Sequence, residues 1–176
     1  NGFQAQATRN LVSTDVGGGH YRAPGFDILT PTEWEDFTIS VPEVLSDLPA
    51  KDKSEVLIQQ GQIYPNRRLY PVQLRGIEMD QSLLRLPLAG LESFENELGE
   101  NIPAVVGVKM ARKAHLKKGD TVVLKWRDKG GAVDARDVLI VDVGDIVNPR
   151  IDDGVVWLRL DHLQAITDPF WVFIHE

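Results

Sequence analysis

From Ser54 to Ile174 turn-forming residues divide the chain into short apolar, β-branched runs, and that spacing restricts it to a fold with many strands. Val56, Ile58 and Ile63 belong to one extended run that ends at the turn signal Tyr64-Pro65-Asn66. Leu69 to Glu78 is a second run, placed to pair with the first as a hairpin. Thr121 to Trp126 and Val138 to Val143, with a turn at Gly130-Gly131 between them, give another hairpin. Val155 to Leu160 and Phe170 to Ile174 read as further strands. Val105 to Leu116 reads as a strand entering a short helix, stopped by the cations Lys117-Lys118 and by Gly119-Asp120. Asp161 to Ile166 forms a helical turn, with His162 on its surface. Ser82 to Glu97, broken by Pro87 and Gly90, gives short helices or turns.

The first third of the chain reads differently. Residues 1–14 are polar and helix-compatible, and the run Gly17-Gly18-Gly19 favours a sharp reversal. Tyr21 to Leu29 is extended, interrupted by Pro24-Gly25. Ser40 caps a helix that carries Pro42 in its first turn and Glu43 at capping-box spacing, and that runs to Leu48 before Pro49. A helical start followed by a β-rich remainder gives an α+β fold, with a boundary near residue 75.

The 176 residues carry 26 acidic and 19 basic side chains, a formal net charge of −7. A chain of that sign is not built to neutralise phosphates, so nucleic acid is not an expected partner. With no cysteine, disulfides, thiolate metal sites and cysteine nucleophiles are excluded. No apolar run approaches the ~18 residues of a membrane span. The chain begins at Asn1 without an initiator Met or a signal-peptide pattern, as expected of a fragment of a longer protein.

Motifs for catalysis are absent. His20, His115, His162 and His175 are scattered, and no pair has the i, i+4 spacing with which a helix presents a metal site. Asp152-Asp153 before Gly154 lacks the periodic oxygen ligands of a cation loop, and a turn explains it as well. No serine lies in a nucleophile elbow, and Gly17-Gly18-Gly19 matches neither phosphate-cradling glycine pattern. The four tryptophans, Trp34, Trp126, Trp157 and Trp171, are spaced for packing rather than for a stacking platform. No catalytic, cofactor or metal residues are therefore assigned. The candidate contact residues are Tyr64, Asn66, Arg67 and Arg68 at one turn, with Arg127 and Lys129 at another. A solvated turn is the competing reading of Arg67-Arg68.

The order of segments carries a resemblance that no single motif does. Tyr70-Pro-Val-Gln-Leu-Arg-Gly-Ile-Glu78 resembles a strand of ABC-transporter permease extracytoplasmic domains of the macrolide-exporter, lipoprotein-release and FtsX-like type. The stretch from Pro103 to Leu124, with Gly107, Ala111 and Gly119-Asp120, resembles the strand–helix–strand passage of the same family. Val138 to Val143 and Ile151 to Gln164 resemble its following strands, Gly19 to Arg22 an early one, and residues 1–12 the extension of a first membrane helix.

The resemblance implies two lobes: a mixed α/β lobe over 1–75, to which the last strand at 168–176 returns, and an inserted β-rich lobe over 76–167. It implies a non-catalytic, periplasmic domain at the bacterial inner membrane. It also implies a permease that pairs with a sister permease, its membrane helices and a cytoplasmic ATPase, with ATP bound elsewhere and no cofactor here. The domain would relay ATP-driven motion and contact a lipophilic substrate or a periplasmic partner. Two departures stand out. The family domain continues through further helix and strand beyond the position of Glu176. The loop Arg127 to Asp137, which in lipoprotein-release permeases carries a proline-bearing hook, is short here and has no proline.

Two other readings compete. One is a soluble binding or assembly module that uses the glycine-rich turn and Arg67-Arg68. The other is a metal hydrolase assembled from His20, Asp152 and Asp153, which the loop spacing disfavours.

Overall fold

The computed structural model describes residue 6 and residues 19–21, 47–49, 52–94, 99–127, 131–146, 148–167 and 171–175. The helices expected over 1–14 and 40–48 fall outside them, apart from residues 6, 47 and 48. Eight strands are present: β1 (Gly19–Tyr21), β2 (Lys53–Ile63), β3 (Tyr70–Ile77), β4 (Ile102–Gly107), β5 (Thr121–Arg127), β6 (Val133–Gly144), β7 (Val155–Arg159) and β8 (Trp171–His175). Among the described residues four short α-helices join them: α1 (Ala89–Glu92), α2 (Val108–Ala114), α3 (Pro149–Asp152) and α4 (Leu160–Ile166). The fold is α+β, as the pattern of runs predicts.

The strands lie in the order β1-β8-β2-β3-β7-β4-β6-β5, and β2 also pairs with β5. That extra pairing, Gly61 to Trp126 through Ile63 to Leu124, closes six strands into a ring and leaves β8 and β1 as a flank on the N-terminal half of β2. Closure needs β5 to come close to β2. A Cβ at Gly61 would lie 3.1 Å from the Lys125 carbonyl oxygen and 3.3 Å from Cδ1 of both Leu124 and Leu74. Glycine is the residue that admits this approach.

Alternation along the strands fills the ring. On β5, Val122, Leu124 and Trp126 are buried while Thr121, Val123 and Arg127 are exposed. Leu57, Leu74, Ile102, Ile140 and Leu158 join Leu124 as fully buried side chains. A six-strand ring is narrow enough for side chains to fill its interior. α4 packs on β3 at Gly76, where a Cβ would stand 3.0 Å from Leu163 Cβ, so a glycine here admits the close approach of the helix.

Both hairpins form as the spacing predicts, β2 with β3 and β5 with β6. β4 begins three residues before the expected Val105 and includes Pro103. Among the described pairings, Pro103 is matched only with Leu139 of β6, ahead of the Ala104–Val106 stretch that also pairs with β7. A residue without an N–H is tolerated where one flank is open. α2 ends at Ala114, before Lys117-Lys118, because His115 takes a left-handed backbone (φ 54) and Leu116 N–H returns to the Ala111 carbonyl.

His162 requires a correction. It is 1% exposed, not on a helix surface. α4 covers the end of β3 with the face that carries Leu160 and Leu163, and His162 is buried along with them.

Candidate functional site

The β2–β3 turn runs from Tyr64 to Leu69. Tyr64 N–H donates to the Val123 carbonyl at 3.0 Å, so the turn is tied to β5. Pro65 is buried, and Arg68 N–H donates to its carbonyl at 2.9 Å. Between them Asn66 (φ 51) and Arg67 (φ 61) take left-handed backbone. Asn tolerates that region, but Arg at φ > 0 costs about 1–2 kcal/mol. The turn holds Asn66, Arg67 and Arg68 in solvent.

Two further elements meet this turn. Lys125 Nζ sits 4.7 Å from the Tyr64 ring centroid, a cation–π contact, and Tyr64 OH donates to Gln62 Oε1 at 3.2 Å. Tyr70 OH donates to the Lys113 carbonyl at 3.0 Å, which fixes the C-terminal end of α2 beside the start of β3. Arg112, Lys117 and Lys118 are exposed there, and Lys113 Nζ pairs with Asp153 at 3.1 Å. Asp120 turns inward on its own loop and accepts Lys117 N–H at 3.0 Å. Exposed apolar surface lies in the same region, with Leu69 at 49% and Val123 at 38%. One end of the ring therefore gathers cations and apolar side chains from β2–β3, α2 and β5.

Tyr64, Asn66, Arg67 and Arg68 lie on the one turn between β2 and β3. Arg127 is not with them. β5 runs antiparallel to β2, so Arg127 lies towards the opposite end of the ring, where its Nη1 donates to the Gly131 carbonyl at 3.0 Å. Lys129 is outside the described residues. The sequence reading did not assign Arg112, Lys117, Lys118 or Lys125 to the surface. The pair Lys117-Lys118 was visible only as a helix stop, and nothing local links it to Arg67-Arg68 some fifty positions earlier.

The other candidates take structural roles. Asp152 is buried, and its Oδ1 accepts Lys109 N–H at 3.1 Å in the first turn of α2. His20 lies in β1 opposite Ile174, on the outer flank of the sheet, with β8, β2 and β3 between it and β7. His20, Asp152 and Asp153 do not converge, and among the described residues no group of three His, Asp or Glu side chains is placed to hold a metal.

Two carboxylates titrate abnormally. Burial, and then the nearby charge of Glu78, raise the Glu55 pKa against a smaller opposing effect of Lys53. Glu78 itself accepts hydrogen bonds from Ser54 Oγ and Glu55 N–H. For Asp161, burial pushes upward, but the hydrogen bonds and charge of Arg159 outweigh it and hold the pKa below the ordinary value. Arg159 grips Asp161 through Nε at 3.1 Å and Nη2 at 2.9 Å, and its Nη1 donates to the Phe94 carbonyl. On the same outer face of the sheet the Arg75 guanidinium lies 5.5 Å from the Trp157 ring centroid.

No protein-family model matches this sequence, and no curated protein matches it either. Among solved structures the chain is similar to the extracellular domain of the noncanonic ABC-type transporter YknZ from Gram-positive bacteria. The TM-score is 0.44 and the sequence identity 14%, over 71% of this chain and 64% of that one. The chain thus spans about 64% of the length of the structure it matches.

Proposed function

We propose that this chain is a non-catalytic extracytoplasmic domain of a bacterial ABC-transporter permease of the macrolide-exporter and lipoprotein-release type. The observation that carries the reading is the pairing of β1 with β8, which sets Gly19 opposite His175. Lys53, at the start of β2, is opposite His175 on the other side. The earliest and latest described strands thus lie side by side at one edge of the sheet, as a domain inserted between two membrane segments requires. The ordered resemblance from Tyr70 to Gln164 supports the same reading.

In this reading the flank formed by β1 and β8 stands nearer the membrane, and the six-strand ring is carried on it through β2, which belongs to both. ATP is hydrolysed on a separate cytoplasmic subunit or domain. Its motion reaches this domain through the membrane helices and is shared with a sister permease, and the domain contacts a lipophilic substrate or a periplasmic partner.

The test is the gene product around this segment, analysed for apolar spans and then by reporter fusions on either side. One span ahead of Asn1 and three beyond Glu176, with the segment on the outer side, are the expected result. A water-soluble protein that ends near Glu176 overturns the proposal and leaves a binding module in its place.

A further inference from the structure

We infer that the cationic end of the ring is a docking site for an acidic, partly apolar segment of another protein, approaching from the side away from the membrane. The inference rests on the permease reading only for the direction in which this end faces.

The first argument is charge. The chain carries −7 overall, yet Arg67, Arg68, Lys117 and Lys118 are exposed at one end, and no ion pair to any of them is found among the described residues. Lys113 at this end holds Asp153, and Arg159 holds Asp161 on the sheet, but neither carboxylate is paired with the four exposed cations. A cluster of like charges exposed on an acidic protein raises the local concentration of anionic partners and speeds their encounter.

The second argument is presentation. Arg67 is held in a left-handed backbone that a Gly would adopt without strain, and the turn is pinned by Pro65, by the Val123 carbonyl and by Lys125 on the Tyr64 ring. Leu69 and Val123 stand exposed beside it, which gives a partner apolar contact as well as charge. The site is therefore preorganised, which lowers the ordering cost of binding.

The third argument is position. β2 starts at Lys53, opposite His175, and runs 11 residues to Ile63, where the turn begins. At ~3.3 Å per residue the turn stands roughly 33 Å along β2 from the end where Gly19 and His175 lie. That separation disfavours lipid headgroups as the occupant and favours a protein segment outside the membrane.

The test uses the purified chain and a fluorescein-labelled peptide of alternating glutamate and leucine, followed by anisotropy. Saturable binding that weakens with added salt is expected. Arg67→Glu with Arg68→Glu, and separately Lys117→Glu with Lys118→Glu, should each weaken it by about tenfold or more. Arg85→Glu, an exposed change elsewhere, should leave it unaltered. Arg67→Gly relieves the backbone, so it should hold or raise the melting temperature while still weakening the peptide. Equal loss with Arg85→Glu, or no loss with either charge reversal, overturns the inference. So does equal or stronger binding to vesicles of phosphatidylglycerol and phosphatidylcholine, or self-association through this end in sedimentation equilibrium. Peptide binding holds or fails whatever spans flank the chain, so failure here is distinguishable from failure of the permease reading.

Discussion

Glu55 and Asp161 shift in opposite directions, and their effects on stability oppose each other accordingly. Glu55 has a folded-state pKa above its unfolded value, so the native state holds its proton more tightly. Its contribution is fully present below the unfolded value and is lost as pH rises through the folded one. Glu55→Gln should therefore be more stable than the parent at pH 7, with the difference closing near pH ~4, where Glu is itself protonated. Urea titrations at the two pH values measure this. Asp161 is the reverse case: its pKa is lowered, so its contribution is present above the unfolded value and disappears as pH falls through the folded one. Asp161→Asn should lose about 1 kcal/mol at pH 7, the exposure of the carboxylate keeping the figure modest, and nothing in strong acid. At the β2–β3 turn, Arg67→Gly should raise stability by up to about 1 kcal/mol, since it exchanges a strained left-handed Arg for a residue free in that region. Little of this was legible beforehand. Sequence spacing marks Tyr64-Pro65-Asn66 as a turn, but which of its residues turns left-handed depends on where β5 lies. Nor does a helical stretch say that His162 faces inward.

The hairpins β2–β3 and β5–β6 follow from local chemistry, because alternating β-branched runs and turn residues are written within a dozen positions of each other. The closing contact between β2 and β5 has no such signal, since its partners, Gly61 to Ile63 and Leu124 to Trp126, are more than sixty residues apart. Gly61, a glycine in the middle of a strand, admits the close approach, but nothing beside it in the sequence says which strand comes near. Gly61→Val should cost about 1–3 kcal/mol by forcing the Lys125 carbonyl and two leucine side chains apart. Denaturant midpoints measure the loss, and hydrogen exchange should show it concentrated at Leu124 and Trp126. The same distance in sequence hid the cationic surface: α2 reads as a helix with a basic end, and only the Tyr70 hydroxyl on the Lys113 carbonyl shows that this end meets the β2–β3 turn.

At the scale of the whole molecule, one strand connects the two ends. β2 touches the β1–β8 flank at Lys53 to Leu57 and the ring's closing strand at Gly61 to Ile63, with β3 alongside from Val56 to Ile63. β2 is thus one continuous strand from the flank to the cationic end, and the proposed relay of motion would run along it. In the proposed permease this domain stands outside the cytoplasmic membrane. Because the chain has no cysteine, a single thiol introduced at the exposed Ser82 gives this segment one reactive group. Ser82→Cys in the intact gene product, expressed in bacteria lacking an outer membrane and treated with a membrane-impermeant maleimide, should be labelled in whole cells as fully as after lysis. Labelling that appears only after lysis would place the domain in the cytoplasm and contradict the account.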